Sequence, residues 1–303
     1  VNPFLAGIVD QDGWAARKRM VRLIEGRSLA YIDTGGSGPT LLLLHGYSDS
    51  SRSFSLLEPW LCGFRLVIPD LPGHGGSVIG VGMTVADFTN DIIALMTTLT
   101  VGRFAVVGHS MGAMIGIDLA ARLPDVVATL VTISGTVRPA FPQRDPVTDG
   151  ILALCDPIDT GDPFFDLWHA CPHPVDPCFL APVRREAATV PAKIWHGILA
   201  GFSTLDLTEA AAKVKVPVLC IGGSEDALFD AGHRLALEGV LSMAQSVLMD
   251  GFGHNPHWED PERVSVVLRG FFRGHFACKA PPPGMPGLSN EIERRTQRAD
   301  AGH

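Results

Sequence analysis

The chain has 303 residues, 46% of them hydrophobic, with 24 Lys and Arg against 32 Asp and Glu and a formal net charge of -8 at pH 7. This is enough apolar material for a large core in one domain with an insertion, and the acidic balance, with no stripe of basic residues, argues against nucleic acid as a partner. No apolar run approaches the roughly 20 residues a membrane-spanning helix needs, no basic and apolar leader is evident, and six scattered cysteines suit a reducing compartment, so a cytoplasmic protein is expected.

Residues 1–17 read as an extension lying on the surface. Met20 to Ile24 and Leu29 to Asp33 read as strands joined by Glu25-Gly26-Arg27, an early hairpin. Leu41 to Leu44 is uniformly apolar, the mark of a central strand covered on both faces, which predicts a mostly parallel sheet. His45-Gly46-Tyr47-Ser48-Asp49 follows at the carboxyl end of that strand, where open α/β sheets bind ligands. Leu66 to Ile68 is the next strand. The glycine-rich turn Asp70 to Ser77 fails the dinucleotide pattern, because Val78 stands where the third glycine belongs. Thr84 and Asp87 make a capping-box-like pair, opening a helix with Phe88, Ile92, Leu95, Met96 and Leu99 on one face.

Phe104 to Val107 is a short buried strand leading into Gly108-His109-Ser110-Met111-Gly112. That segment fits G-x-S-x-G, in which glycines let a strained turn pass close to its neighbours and lift the serine hydroxyl clear of the backbone. In a chain with 33 glycines the pattern alone is weak; the strand before it and the helix-length run to Leu123, stopped by Pro124, supply the context. Val126 to Ile133 is another strand, followed by Ser134-Gly135-Thr136 with no carboxylate. Over residues 137–212 the alternation breaks down, and prolines and aromatics crowd in: Phe141, Phe164, Phe165, Trp168, Phe179 and Trp195.

Within that stretch Cys171-Pro-His173-Pro-Val-Asp176-Pro-Cys178, beside His169, matches no zinc spacing, so no metal is assigned. The prolines read as a rigid loop, and a disulfide between Cys171 and Cys178 would require an oxidising compartment. The strand Val216 to Gly222 then leads to Gly223-Ser-Glu225-Asp226. A helix at Ala231 to Glu238, a strand at Ser246 to Met249, the turn Gly251 to His254 with His257 close by, and a helix at Val264 to Phe272 follow. Residues 275–303, rich in proline and charge, are expected to form a flexible tail.

In order, His45-Gly46, Asp70 to Ser77, the Ser110 segment, Gly222 to Asp226 and Gly253-His254 to Glu262 resemble the signatures of the α/β-hydrolase superfamily, and Gly-His-Ser-Met-Gly resembles its nucleophile elbow. The resemblance covers about Met20 to Phe272. It implies a mostly parallel α/β sheet flanked by helices, a core of residues 18–136 and 213–274, and a cap or lid at 137–212. It further implies Ser110 as nucleophile, Asp226 rather than Glu225 as acid, and His254 rather than His257 or His45 as base, in the family's chain order. The backbone N–H groups of Tyr47 and Met111 correspond to its oxyanion donors, of which losing one typically costs about 3 to 4 kcal/mol. A greasy cap implies apolar substrate groups, with His109, Trp168, Trp195 and Trp258 as walls of the pocket.

The expected activity is cleavage of a small to medium apolar carboxylic ester or lactone through an acyl-serine, without a cofactor. A serine at the elbow excludes the dehalogenase and epoxide hydrolase relatives, which use aspartate there. Two alternatives stay open. One is a hydrolase of carbon–carbon bonds in ring-cleavage products, resembled by the Ser-Met-Gly elbow and Trp258, with Arg184 or Arg185 meeting a substrate carboxylate. The other is a ligand receptor that keeps the hydrolase fold.

Overall fold

Short apolar runs separated by helical segments build one eight-stranded sheet. The computed structural model describes residues 9–23, 26–139, 141 and 144–276. The strands are β1 (Arg19–Arg22), β2 (Ser28–Asp33), β3 (Thr40–Leu44), β4 (Arg65–Pro69), β5 (Phe104–His109), β6 (Val127–Ile133), β7 (Val218–Gly223) and β8 (Ala244–Met249). They lie in the order β1-β2-β4-β3-β5-β6-β7-β8. The β1–β2 and β2–β4 pairs are antiparallel and every later pair is parallel, as the uniformly apolar central strands require. All residues of β3, β5 and β6 are buried, because helices cover both faces of a parallel sheet.

The period of two along a strand divides the core. Leu42, Leu44 and Val106 face a cluster built with α1 (Val85–Thr98) and α2 (Met111–Arg122). Leu41, Leu43, Ala105 and Val107 face the opposite cluster, which contains Val264, Leu268 and Phe272 of the last helix, Pro261–His275. Thr84 and Asp87 form the full capping box expected at the start of α1.

Between β6 and β7 the described chain is helical: α3 (Pro146–Ala153), α4 (Phe164–Trp168), α5 (Pro177–Thr189), α6 (Ala192–Phe202) and α7 (Thr208–Lys213). The helices α8 (Ala231–Val240), α9 (Pro256–Glu259) and α10 (Pro261–His275) complete the fold. Loss of the strand–helix alternation was therefore a change to helices alone. Cys171 and Cys178 carry free thiols. No described helix is long and apolar enough to cross a membrane.

Residues 9–17 depart from the expected surface extension. Trp14 is fully buried in the cluster with Phe54 and Phe272, Gln11 accepts a hydrogen bond from Arg52 at 3.0 Å, and Arg17 pairs with Glu58. One indole removed from water outweighs the polar character of its neighbours, and it draws the segment onto the body. Residues 1–8, 24–25 and 277–303, on which part of the expected extension, part of the expected hairpin and the expected tail fall, lie outside the described residues.

Candidate active site

Ser110 stands between β5 and α2 with φ +51°, an angle that non-glycine residues rarely adopt. Tight packing forces the turn. A Cβ on Gly108 would come within 2.2 Å of the Gly112 carbonyl oxygen, and one on Gly112 within 2.0 Å of that of Leu44. The glycines of G-x-S-x-G are thus steric requirements, and they place Ser110 at the C-terminal end of the parallel sheet.

Asp226 follows β7 and points inward, whereas Glu225 is exposed. Its Oδ1 accepts the backbone N–H groups of Leu228 and Phe229, each at 2.9 Å. His254 Nδ1 lies 2.8 Å from Oδ2 and 3.0 Å from Oδ1. An ionised carboxylate only accepts, so Nδ1 carries the proton and Nε2 keeps its lone pair. Burial pushes the Asp226 carboxyl up, but His254 and the two N–H donors outweigh that effect and hold it below the usual carboxylate range. The turn bearing His254 is pinned by Glu259, which accepts the Gly253 N–H at 2.9 Å and the His173 N–H at 3.2 Å.

The two other histidines considered as bases are structural. His45 Nε2 accepts the Leu71 N–H at 2.8 Å, so its Nδ1–H donates to the Gly46 carbonyl, also at 2.8 Å. His257 is fully buried behind His109, 3.2 Å from Ser53 Oγ, and burial drives its pKa far below the ordinary value. Neither faces the cleft.

Met111 begins α2, and the first N–H groups of a helix have no acceptor within it. Tyr47 lies in the tight turn after β3, where the Asp49 N–H donates to the Gly46 carbonyl at 3.3 Å. The insertion holds this turn at several points. Tyr47 Oη donates to the Trp195 carbonyl, Trp168 Nε1 donates to Ser48 Oγ at 2.8 Å, and Ser50 Oγ donates to Glu186 at 2.5 Å. Arg52 adds two bonds to Glu186 Oε1, at 2.9 and 2.6 Å.

Ser110 and His254 line one shared cleft. His109, Trp168 and Trp258 line it. Trp195 does not: it is fully buried behind Tyr47 and Trp168, with ring centroids 5.0 and 5.3 Å away, because the aromatic stack of α4 and α6 closes over it. Asp49, His169, Phe202, Leu228 and Phe229 also line the cleft and were not singled out as walls in the sequence. The position of Asp49 in the His45-Gly46 turn was the one available signal for it. Arg184 pairs with Asp166 at 2.5 Å and Arg185 is exposed, so neither reaches the cleft. Among the described residues no group of three or more His, Cys, Asp and Glu is arranged to hold a metal ion.

A strained serine at a strand–helix turn, an Asp–His pair lining the same cleft and an inserted helical layer over it define a class, and comparison with known proteins agrees. The chain belongs to the α/β-hydrolase family, matching alpha/beta hydrolase fold over residues 39–261. It is similar to the pimeloyl-acyl-carrier-protein methyl ester esterase of Methylococcus capsulatus, 31% identical over 80% of this chain and 97% of that protein. It also resembles the 2-(acetamidomethylene)succinate hydrolase of Mesorhizobium japonicum, 28% identical over 81% of this chain and 92% of that one. In structure it is similar to the enol-lactonase of Burkholderia xenovorans LB400, with a TM-score of 0.74, 23% identity, and coverage of 84% of this chain and all of that one.

Proposed function

We propose that the protein is a serine hydrolase that cleaves a small to medium, largely apolar carboxylic ester or lactone through an acyl-Ser110 intermediate. The observation that carries this reading is the Asp226–His254 pair, which leaves an Nε2 lone pair on the cleft that Ser110 also lines. His254 accepts the Ser110 proton as the hydroxyl attacks the carbonyl carbon. Asp226 holds the productive tautomer and stabilises the imidazolium. The negative oxygen of the tetrahedral intermediate meets the backbone N–H groups of Tyr47 and Met111. Collapse expels the alcohol, which takes the proton from His254; water activated by His254 then releases the acid.

The activity of a relative, the methyl ester esterase of Methylococcus capsulatus, supports the same bond type. In the carbon–carbon hydrolase reading Arg184 or Arg185 was a candidate partner for a substrate carboxylate, and neither they nor any other arginine or lysine lines the cleft. Initial rates on aryl and alkyl esters, lactones and one vinylogous ring-cleavage diketone, with wild type beside Ser110→Ala, test the proposal. Serine-dependent turnover of esters or lactones is expected. Turnover of the diketone alone would transfer the protein to the carbon–carbon class, and binding without turnover of any substrate would favour a receptor.

A further inference from the structure

His109 is the last residue of β5 and the immediate neighbour of Ser110. Its side chain is almost wholly buried, and a buried imidazole must find a hydrogen-bond partner or lose the hydration it had in water. Nε2 lies 3.0 Å from the backbone carbonyl of His254, 145 residues further along the chain. A carbonyl only accepts, so the proton is on Nε2 and His109 is the donor. Burial pushes the imidazole pKa down, against the opposing effect of Asp49, and the ring is neutral. Nδ1 then carries a lone pair, 3.8 Å from Asp49 Oδ2 and beyond hydrogen-bond length. The one proton of the ring is committed to the His254 carbonyl, and no other donor among the described residues reaches that oxygen.

The same ring meets the turn after β3. A Cβ on Gly46 would come within 2.8 Å of His109 Nδ1 and 3.2 Å of Asp49 Oδ2, so only glycine lets that turn approach the elbow this closely. The rings of His257 and His254 lie 4.4 and 5.1 Å from that of His109. One side chain thus joins three pieces of the site: the serine through its own backbone, the β3 turn through Gly46, and His254 through a hydrogen bond.

Two carboxylates also grip the base. Asp226 holds its ring, and Glu259 holds the Gly253 N–H just before it. Both acids belong to the part of the chain that carries His254, one after β7 and the other in α9. His109 alone of the three belongs to the strand that carries the nucleophile. We infer that His109 is a positioning residue for the base: its Nε2–H holds the His254 carbonyl and so sets the imidazole against Ser110. The bond is made to the main chain, so it governs where the ring stands, while Asp226 governs which nitrogen bears the proton.

The inference rests on the serine-hydrolase reading for its kinetic consequence, and two substitutions divide the properties of the side chain. His109→Phe keeps a ring beside Gly46 and has no donor. His109→Gln gives up the ring and places an amide NH2 near the position of Nε2. Both are compared with wild type for kcat and KM on p-nitrophenyl hexanoate, with circular dichroism as the check on folding. His109→Phe is expected to lower kcat by about tenfold to a hundredfold, since a misplacement of about 1 Å can cost that much. KM should stay within about threefold, as for an interaction used in the transition state alone. His109→Gln is expected to recover kcat to within about fivefold of wild type. A ring that merely filled space would give the reverse order of the two variants. His109→Leu, which also lacks a donor, takes the place of the phenylalanine variant should that one not fold.

A second readout needs no turnover: the low-field proton resonance of the His254 Nδ1–H bonded to Asp226, identified by its loss in His254→Ala. It is expected to shift or broaden in His109→Phe and to keep its wild-type position in His109→Gln. Where wild type turns over the ester with Ser110, the kinetics decide. Unchanged kcat in His109→Phe, a rise in KM with kcat unchanged, or an equal loss of kcat in His109→Gln would then overturn the positioning role and leave the hydrolase standing. Absence of serine-dependent turnover in wild type would instead overturn the hydrolase reading, and the resonance decides alone. A change in His109→Phe that is absent from His109→Gln upholds the link to His254, and any other pattern overturns it.

Discussion

At Asp226 the two carboxylate oxygens have different work. Oδ1 accepts two backbone N–H groups, while Oδ2 makes the shorter approach to His254. In Asp226→Asn the amide oxygen must keep the Oδ1 position to satisfy those donors, so the NH2 group faces His254 Nδ1 and drives the imidazole proton to Nε2. The tautomer is then wrong for accepting a proton from Ser110, and kcat is expected to fall by about 10⁴ with the fold intact. Ser110→Ala and His254→Ala are expected to lose about 10⁴ to 10⁶. Steady-state rates with unchanged circular dichroism check all three, and retention of more than about a tenth of the wild-type rate by Ser110→Ala would reject the elbow assignment.

Asp70 supports the same end of the sheet without chemistry. It is fully buried and accepts from Lys18 Nζ at 2.7 Å, the Ser51 N–H at 2.8 Å and the Gly76 N–H at 2.7 Å. Burial pushes its pKa up, but Lys18 and the N–H donors outweigh that and leave it lowered. A carboxylate lowered on folding adds stability above its unfolded pKa of about 3.9, and that stability is lost as pH falls through the folded value. Asp70→Asn is therefore expected to cost about 3 kcal/mol at pH 7. The gap stays constant down to about pH 4 and closes only below it, as denaturant midpoints across that range will show.

Between elements, the decisive contacts join the turn after β3 to the inserted helices. Arg52 is nearly buried, at 5% side-chain exposure, and Glu186 of α5 neutralises it at 2.6 Å. Removing only the acid in Glu186→Ala strands a buried guanidinium, and a loss of about 3 kcal/mol is expected. Arg52→Met with Glu186→Leu removes both charges and should recover at least half of it, since apolar replacements of buried pairs are often neutral. Thermal melts of the two variants decide, and a double variant as unstable as the single one would show that the pair itself, not the stranded charge, matters.

None of this stitching was legible in the sequence. The β3 turn, Asp226 and His254 were singled out through the resemblance to the α/β-hydrolases; the elbow was legible, because its strand end and its glycines make a local pattern. The sheet was legible for the same reason: the all-apolar run of Leu41 to Leu44 requires cover on both faces wherever the covering helices come from. The cleft walls were not, because a wall is set by which of several aromatics meets the opening. Trp195 and Trp168 look alike in composition, and only the packing of α4 against α6 puts one on the cleft and the other behind it. Trp14 was misplaced because a single indole among polar residues leaves no periodic trace.

Across the whole molecule, the inserted helices and the sheet share one apolar cluster. Phe164 of α4, Trp195 and Ile198 of α6, and Ala211 of α7 belong to the same contiguous core as Leu42 of β3, Phe88 of α1 and Val106 of β5. A lid that folded by itself would keep its own core and meet the body across a polar seam, as mobile domains do. Here the insertion has only a small satellite core of its own, around Val175, Phe179 and Val183, and even that is completed by Leu56 and Trp258 of the body.

The insertion and the body should therefore melt together. Trp195→Ala empties a fully buried indole site near Tyr47 and is expected to cost about 3 to 5 kcal/mol. That loss should lower the Tm of a single cooperative transition by about 10 °C, without releasing a separate early one. Calorimetry of wild type and variant gives the answer. A second, low-temperature peak in the variant, with catalytic rate lost across that peak while the sheet still reports as folded, would show the insertion to be an independent unit and the shared core to be energetically divided.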